Sequence, residues 1–158
     1  MRFVTISILL LAFTTATYAQ NPQQRRGWVY GYTGTGWNSR GTSLHMGGGG
    51  EILIAGGFGF GAEATHFGST SRFGNNSVGM LSANLVSHFG GRNLSRKLVP
   101  FATGGVSFAN GRSVGGNFGF GIQYWMHARA ALRLEFRQHI FSSDSPFVPA
   151  IHVGISFR

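Results

Sequence analysis

Oppositely charged side chains recur on one face of the segments in which apolar and polar residues alternate. Glu135 stands between Arg133 and Arg137 on the polar face of one such segment. Glu51 and Glu63 occupy the polar faces of two others, in a chain that has only four acidic residues. Because an isolated buried charge is costly, charges that a sheet encloses should pair with one another. The sequence therefore predicts an enclosed network of ion pairs. Its predicted members are Glu51, Glu63, Arg133, Glu135 and Arg137, with Gln123, His139 and His152 beside them.

A second group of residues has the composition of an acyl-transfer site. The segment 139–145 contains His139, Ser142 and Asp144. A serine, a histidine and an acid are the parts of a nucleophilic triad. In a strand, however, His139 shares its face with residue 141 and not with Ser142. We retain the three residues as catalytic candidates of an alternative interpretation, whereas the preferred interpretation contains no catalytic site.

Metal, cofactor and nucleic-acid binding are not favoured by the sequence. The chain has no Cys, and its six His include no pair at ligand spacing on one strand. The glycine-rich runs are not followed by the Lys-Ser/Thr of a phosphate loop. The net charge is +9, but the basic residues are scattered singly or in pairs, so no run of them could track a phosphate backbone. We predict no metal, no cofactor and no nucleic-acid partner.

The alternation that positions these residues extends over most of the chain. After residue 26 no helical period is sustained, whereas a period of two recurs between clusters of Gly, Asn, Ser and Pro. Strands of soluble proteins usually have about 5–6 residues, and a tilted strand that crosses a bilayer needs about 9–11. The segments have 10 to 13, so we predict an all-β fold, an eight-stranded antiparallel up-and-down transmembrane β-barrel over 27–158. The predicted strands are 27–36, 43–54, 58–67, 77–89, 98–109, 116–126, 130–141 and 148–157.

Each predicted strand has one strongly apolar face and one face of small or polar residues. In a soluble sandwich the second face would be charged for water, whereas small residues suit the narrow interior of an eight-stranded barrel. Glycines on this face would leave space for larger side chains opposite. These glycines are Gly47, Gly49, Gly59, Gly61, Gly119, Gly121 and Gly154.

The register of two hairpins follows from the requirement that paired residues point to the same side. Ile54 is predicted to pair with Phe58 around a three-residue loop, 55–57, and Met126 with Ala130 in the same way. Short and long connectors then alternate, as expected when one rim faces the periplasm and the other the exterior, and the eight-residue basic connector 90–97 is the exception.

Aromatic residues give a less consistent pattern. Phe101 and Phe108 fall on opposite sides of a strict alternation in 98–109, so the facing of this strand stays open, and a bulge near Gly104 would place both on one side. Aromatic residues toward strand ends are predicted to form the girdles of a membrane barrel, with Trp125 alone facing the lumen. The predicted girdle residues are Trp28, Tyr30, Tyr32, Trp37 and Tyr124.

The N-terminal segment has the organisation of a secretory signal peptide. A basic start is followed by an apolar stretch, 3–13, that is shorter than the roughly 20 residues of a spanning helix. Small residues then precede a predicted cleavage site between Ala19 and Gln20. We expect a signal peptide at 1–19, a polar leader at 20–26, and export through the Sec pathway.

Four stretches resemble the small outer-membrane β-barrels related to the membrane domain of outer membrane protein A and to outer membrane protein X. They are GGFGFGAEATHFG (56–68), HFGGRNLSRKLVPFATGGVSF (88–108), GNFGFGIQYWMHARAALRLEFRQHIF (116–141) and VGISF (153–157). The resemblance implies an outer-membrane location and no shared catalytic site. It also implies that Phe157 is the terminal aromatic signal for the barrel-assembly machinery, although Arg158 follows it.

The preferred interpretation is a monomeric barrel in the cell outer membrane with a structural or adhesin-like surface-contact role. Its lumen would be plugged by the charged side chains, with a gated ion path as the alternative. Its partners would be outer-membrane lipid and lipopolysaccharide, whose phosphates Arg40, Arg72 and Arg112 would meet in the exposed loops. Two other functions stay open: a lipid A-modifying acyl hydrolase or transferase with its site at the rim, and a secreted soluble Gly-rich β-sandwich.

Overall fold

Eight antiparallel strands close into a barrel in which each strand pairs with its neighbours in the chain. The computed structural model describes residues 27–38, 41–69, 77–89, 97–109, 113–141 and 147–158. None of these residues forms a helix long and apolar enough to cross a membrane. The strands are β1 (Gly27–Asn38), β2 (Gly41–Ala55), β3 (Phe58–Ser69), β4 (Ser77–His88), β5 (Leu98–Ala109), β6 (Ser113–His127), β7 (Ala130–Phe141) and β8 (Phe147–Phe157).

The barrel closes where the first strand pairs with the last. β1 and β8 are antiparallel from Val29 opposite Phe157 to Gly36 opposite Ala150. Closure leaves none of the eight strands as a free edge. The predicted all-β, eight-stranded fold is confirmed. The sandwich alternative is wrong, because one closed sheet replaces two packed ones.

The outer surface of the barrel is an apolar belt. Outward-facing large hydrophobic side chains are 38% to 65% exposed and come from all eight strands, among them Phe58, Leu85 and Phe120. Soluble monomers rarely expose an apolar patch of more than a few hundred Å². A belt around the whole circumference is instead the lipid-facing surface of a transmembrane barrel.

The two tight hairpins differ from the predicted register in the same way. Ala55, not Ile54, pairs with Phe58, and Ile54 is the extra residue of a bulge. Gly56 and Gly57 form a two-residue turn with φ of 58° and 90°. Hairpins with two positive φ angles match the twist of the strands, which favours Gly-Gly here. The bulge lets Ile54 and Phe58 both face outward without pairing.

The hairpin between β6 and β7 has the same construction. His127 pairs with Ala130 around a turn at 128–129, and the register shifts between Trp125 and His127, so the predicted pairing of Met126 with Ala130 is wrong. We call the end of the barrel that carries these two turns the turn end. The opposite end, where 39–40, 70–76, 110–112 and 142–146 connect the strands, is the loop end.

The facing of β5 is settled by strict alternation. Phe101 is 1% exposed and faces the lumen, whereas Phe108 is 46% exposed on the outer surface. β5 pairs with β4 and β6 without any register shift, so the strand needs no bulge. Space for the Phe101 ring comes from β6, where a Cβ on Gly121 would lie 2.7 Å from its Cζ atom.

Three predicted girdle residues lie in the lumen instead. Trp28, Tyr30 and Tyr32 are only 5%, 4% and 7% exposed. Tyr30 and Tyr32 lie opposite Gly49 and Gly47 of β2, where a Cβ would lie 2.8 Å and 2.6 Å from the two hydroxyl oxygens. The small residues of β2 thus admit the rings of β1. Trp37, Tyr124 and Trp125 face as predicted, the first two outward and Trp125 inward.

Candidate functional site

The five residues of the predicted charge network all lie in the lumen. Arg133, Glu135 and Arg137 occupy alternate positions of β7, between outward-facing residues. Glu51 comes from β2 and Glu63 from β3. Each of the five is at most 4% exposed. The period of two in each strand is therefore what brings charges from distant parts of the sequence into one bore.

The ion pairs form a continuous chain across the lumen. Arg133 Nη1 lies 2.7 Å from Glu51 Oε1, and its Nη2 lies 3.0 Å from Glu135 Oε2. Arg137 Nε donates to Glu135 Oε1 at 2.7 Å, and its Nη1 lies 3.2 Å from Glu63 Oε2. Glu135 is therefore shared by both guanidinium groups. The order of contacts is Glu51, Arg133, Glu135, Arg137, Glu63.

Further polar side chains complete the coordination of the two outer carboxylates. The indole Nε1 of Trp28 donates to Glu51 at 2.9 Å, and His88 Nε2 lies 2.9 Å from the same oxygen. The hydroxyls of Tyr30 and Tyr32 donate to Glu63 at 3.0 Å and 2.7 Å. Three carboxylates face two guanidiniums, so these donors stabilise charge that the arginines do not neutralise.

These aromatic donors were missed because the sequence assigned them to the girdle. One signal could have found them: Gly47 and Gly49, already predicted to leave space, lie opposite Tyr32 and Tyr30.

Two aromatic rings also contact the guanidinium of Arg133. The Cζ atom of Arg133 lies 4.2 Å from the ring centroid of Tyr30 and 4.0 Å from that of Phe101. Such contacts favour a cation that has lost its water.

The two histidines and the glutamine that were predicted beside the network lie at its margins. Gln123 donates to Ser156 Oγ at 2.9 Å and makes no hydrogen bond to the five charged residues. The ring of His152 stacks on Tyr32 with centroids 4.4 Å apart. His139 is buried next to the rings of Phe67 and Phe141.

A histidine cluster lies nearer the loop end. His45 Nδ1 is 3.1 Å from His152 Nε2, and Ser43 Oγ is 2.9 Å from His45 Nε2. A Cβ at Gly34 or Gly36 of β1 would overlap His152 or His45, so these glycines allow the two imidazoles to meet across β1. Within the described residues no group of three potential ligands is placed to hold a metal ion.

The opposite wall of the lumen is lined by small uncharged polar residues of β4, β5 and β6. Ser82 Oγ and Ser107 Oγ are 2.9 Å apart, and Asn117 Nδ2 donates to Ser107 at 2.9 Å. Asn84 and Thr103 complete this wall, which we call the neutral wall. No sequence pattern had singled it out, because Ser, Thr and Asn alternate with apolar residues in any half-buried strand.

The C-terminal strand contributes one further contact at the turn end. Phe157 is exposed on the outer face and pairs with Val29 and Ala130. The guanidinium of Arg158 lies 3.9 Å from the ring centroid of Trp125, and its Nε donates to Ala128 O at 2.8 Å. Arg158 therefore covers the lumenal tryptophan at this end.

Several predicted residues lie outside the part of the chain that the structure describes. They are the cleavage-site residues Ala19 and Gln20, the loop arginines Arg40, Arg72 and Arg112, and the catalytic candidates Ser142 and Asp144.

Comparison with known proteins identifies the fold. No protein-family model and no curated protein sequence matches the chain. Neisserial surface protein A, NspA, is 12% identical, with a TM-score of 0.64 over 83% of this chain and 94% of that chain. The fold is that of a small outer-membrane β-barrel.

Two other solved barrels show that this fold serves different functions. The attachment invasion locus protein Ail of Yersinia pestis, in complex with the heparin analogue sucrose octasulfate, is 9% identical with a TM-score of 0.55, over 83% of this chain and 95% of Ail. The outer membrane enzyme PagL is 13% identical with a TM-score of 0.50, over 82% of this chain and 98% of PagL. The likeness at these identities concerns the fold.

Proposed function

We propose that the protein is an outer-membrane barrel that acts through its outer surfaces, in a structural or surface-contact role, while its charge network closes the lumen. One observation carries this proposal: the contact between Arg137 and Glu63. It joins β7 to β3, which are four strands apart in an eight-stranded barrel and so face each other across the full diameter. An eight-stranded bore has room only for side chains, and here charged ones occupy it.

The alternative of a gated ion path is less favoured by the same contacts. Each carboxylate of the network holds at least two donors, so an ion that passed would have to break several charge-assisted hydrogen bonds together. The rings of Tyr30 and Phe101, which contact the guanidinium of Arg133, further restrict its movement.

Single-channel recording tests the closure of the lumen. The protein, purified from outer membranes and reconstituted in a planar bilayer, should give no stepwise conductance. Arg137→Ala should introduce conductance steps, because it removes the side chain that spans the bore, and Gln138→Ala on the same strand is the matched control. Steps of equal size in the unaltered protein and in Arg137→Ala would show that the network does not close the lumen.

The outer-membrane location has its own test. The protein should fractionate with outer membranes and should migrate differently on a denaturing gel when it is not heated, because a closed barrel resists the detergent. Recovery of the unaltered protein in the periplasm or medium without detergent would contradict the location.

The proposed surface contact is with lipopolysaccharide. Arg40, Arg72 and Arg112 belong to three connectors of the loop end, where their charges suit phosphate groups. Replacing all three with Ser should weaken lipopolysaccharide association, whereas Arg129→Ser, at the turn end, should leave it unchanged. Equal association of both variants would remove this part of the proposal.

A second candidate function, an acyl hydrolase at the loop end, is favoured by the contact of Ser43 with His45. Ser43 lies within hydrogen-bond distance of His45, and His152 contacts the other ring nitrogen of His45. A serine beside a base that a third group orients is the arrangement of an activated nucleophile. A fluorophosphonate probe should then label the protein, and Ser43→Ala should abolish labelling while Ser82→Ala retains it. His139→Ala tests the candidate predicted from sequence. Absence of labelling in the unaltered protein would eliminate both versions.

A further inference from the structure

A groove runs along the outer face of the barrel near the turn end. It has a volume of about 540 Å³ and is open to the surroundings of the barrel. Ile54, Phe58, Phe60 and Leu85 form its walls, and Ala102 and Gly104 of β5 form its floor. It belongs to the apolar belt, so hydrocarbon is the medium that fills it.

The groove exists because β5 has small outward side chains beside the large ones of β3 and β4. Leu85 of β4 pairs with Gly104, and Ser87 of β4 pairs with Ala102, so small outward residues of β4 and β5 lie beside the large side chains of Leu85, Phe58 and Phe60. An added Cβ at Gly104 would find only Asn117 O within 4 Å, at 3.7 Å. The trough is therefore a vacant surface feature and not a site of backbone crowding.

The turn end of the barrel carries cationic side chains and no acidic ones among its described residues. Lys97 directly precedes β5 and is exposed, and its carbonyl oxygen accepts a hydrogen bond from Trp125 N at 2.7 Å. Arg129 is exposed in the turn between β6 and β7. Of the four acidic residues, three are enclosed in the lumen and Asp144 belongs to a loop-end connector. The charge at this end suits an anionic group.

The depth of the groove floor below Lys97 matches the thickness of one leaflet of the hydrocarbon core. Five to seven residues of strand separate Lys97 from Ala102 and Gly104, which corresponds to about 17–23 Å along the strand. With a tilt of about 40° the depth is roughly 13–18 Å. Half of a hydrocarbon core of about 30 Å is about 15 Å. A phosphate at Lys97 would thus place its acyl chain in the groove.

We propose that this groove and Lys97 form a binding site for an anionic glycerophospholipid, with one acyl chain along β5 and the phosphate at the turn end. The site is separate from the lumen and from the loop-end contacts with lipopolysaccharide. Because outer-membrane barrels have their short turns on the periplasmic side, the lipid would come from the phospholipid leaflet.

Native mass spectrometry with defined lipids tests the site. The full protein is delipidated in detergent and mixed with phosphatidylglycerol or with phosphatidylethanolamine of the same acyl chains. We expect one saturable phosphatidylglycerol adduct. Gly104→Leu, which fills the groove, should reduce it about tenfold. Gly116→Leu is the matched control, since it is also an outward-facing glycine with open space, and should bind as the unaltered protein does.

The headgroup is tested separately. Lys97→Gln should weaken phosphatidylglycerol binding about fivefold and phosphatidylethanolamine binding less, because the ammonium group of phosphatidylethanolamine offsets the charge of its phosphate. Equal binding of both lipids by the unaltered protein, or equal adducts in Gly104→Leu and Gly116→Leu, would overturn the proposal. Displacement of the adduct by lipopolysaccharide would do the same. So would a Gly104-dependent dimer, because a second copy would then occupy the groove.

Discussion

The polar groups of the two walls of the lumen find their partners in different ways. The five charged residues of the network, Glu51, Glu63, Arg133, Glu135 and Arg137, form what we call the charged wall. It joins β2 and β3 to β7 through contacts between residues that are 74 and 82 positions apart. The neutral wall joins only adjacent strands, as in the contacts of Ser107 with Ser82 and Asn117. Charge thus fixes distant strands across the bore, whereas small hydroxyls and amides fill space between neighbours. The stability of the closed barrel should therefore depend unequally on the two walls.

The largest effect is expected at the centre of the charged wall. Arg137→Met would remove the guanidinium that Glu63 and Glu135 share and would leave both carboxylates buried. Breaking a buried ion pair in this way costs about 3–5 kcal/mol. Urea unfolding in detergent micelles, followed by the shift of the folded band on a gel, measures the loss. A change below about 1 kcal/mol would mean that the two walls are equivalent.

A smaller effect is expected where a neutral donor supports the charged wall. Tyr32→Phe removes a hydroxyl that contacts Glu63 at 2.7 Å and Thr65 at 2.5 Å. A hydrogen bond to a charged group contributes about 1.5–3 kcal/mol. The same unfolding assay should show a loss in this range. Tyr124→Phe, on the outer face, is the control and should change the free energy of unfolding by less than about 0.5 kcal/mol.

The smallest effect is expected in the neutral wall. Ser82→Ala removes one hydrogen bond, to Ser107, at a cost of about 0.5–1.5 kcal/mol. Ser107 retains the donor Asn117 Nδ2. Ser82 lies opposite Glu63 in the pairing of β3 with β4, but its hydrogen bond goes to Ser107. Combining Ser82→Ala with Arg137→Met should therefore give an additive loss. A coupling energy above about 0.5 kcal/mol would show that the walls act as one unit.

The alternation of apolar and polar residues was sufficient to predict the strands and to predict that the charged residues of the network face inward. Each Glu and Arg of the network sits between outward-facing residues within its own strand, so local information is enough. It was not sufficient for Tyr30 and Tyr32, because neither face of β1 is charged and both carry aromatic residues, with Trp37 on the outward face. Their direction depends on Gly47 and Gly49 of the next strand and on Glu63 beyond it.

The bulges at the turn end were hidden for a related reason. Parity alone allows Ile54 to pair with Phe58 directly, but the two-residue Gly56–Gly57 turn moves the pairing to Ala55. The register then shifts by one residue, and Ile54 becomes the unpaired residue of a bulge. The alternation of apolar and polar residues does not reveal such a bulge. The turn geometry and the outward direction of both apolar side chains together demand it.

The position of the buried charges along the chain has a consequence for assembly. β2 and β3 bring two carboxylates, whereas β7 carries two guanidiniums and one carboxylate on consecutive inward positions. The hairpin of β2 and β3 therefore has an excess of negative charge on its inward face, and β7 has an excess of positive charge that its own Glu135 half compensates. In a medium of low dielectric constant these opposite excesses attract over long distances. This attraction between β2–β3 and β7 would draw early and late strands of the chain together and so favour closure of the seam between β1 and β8.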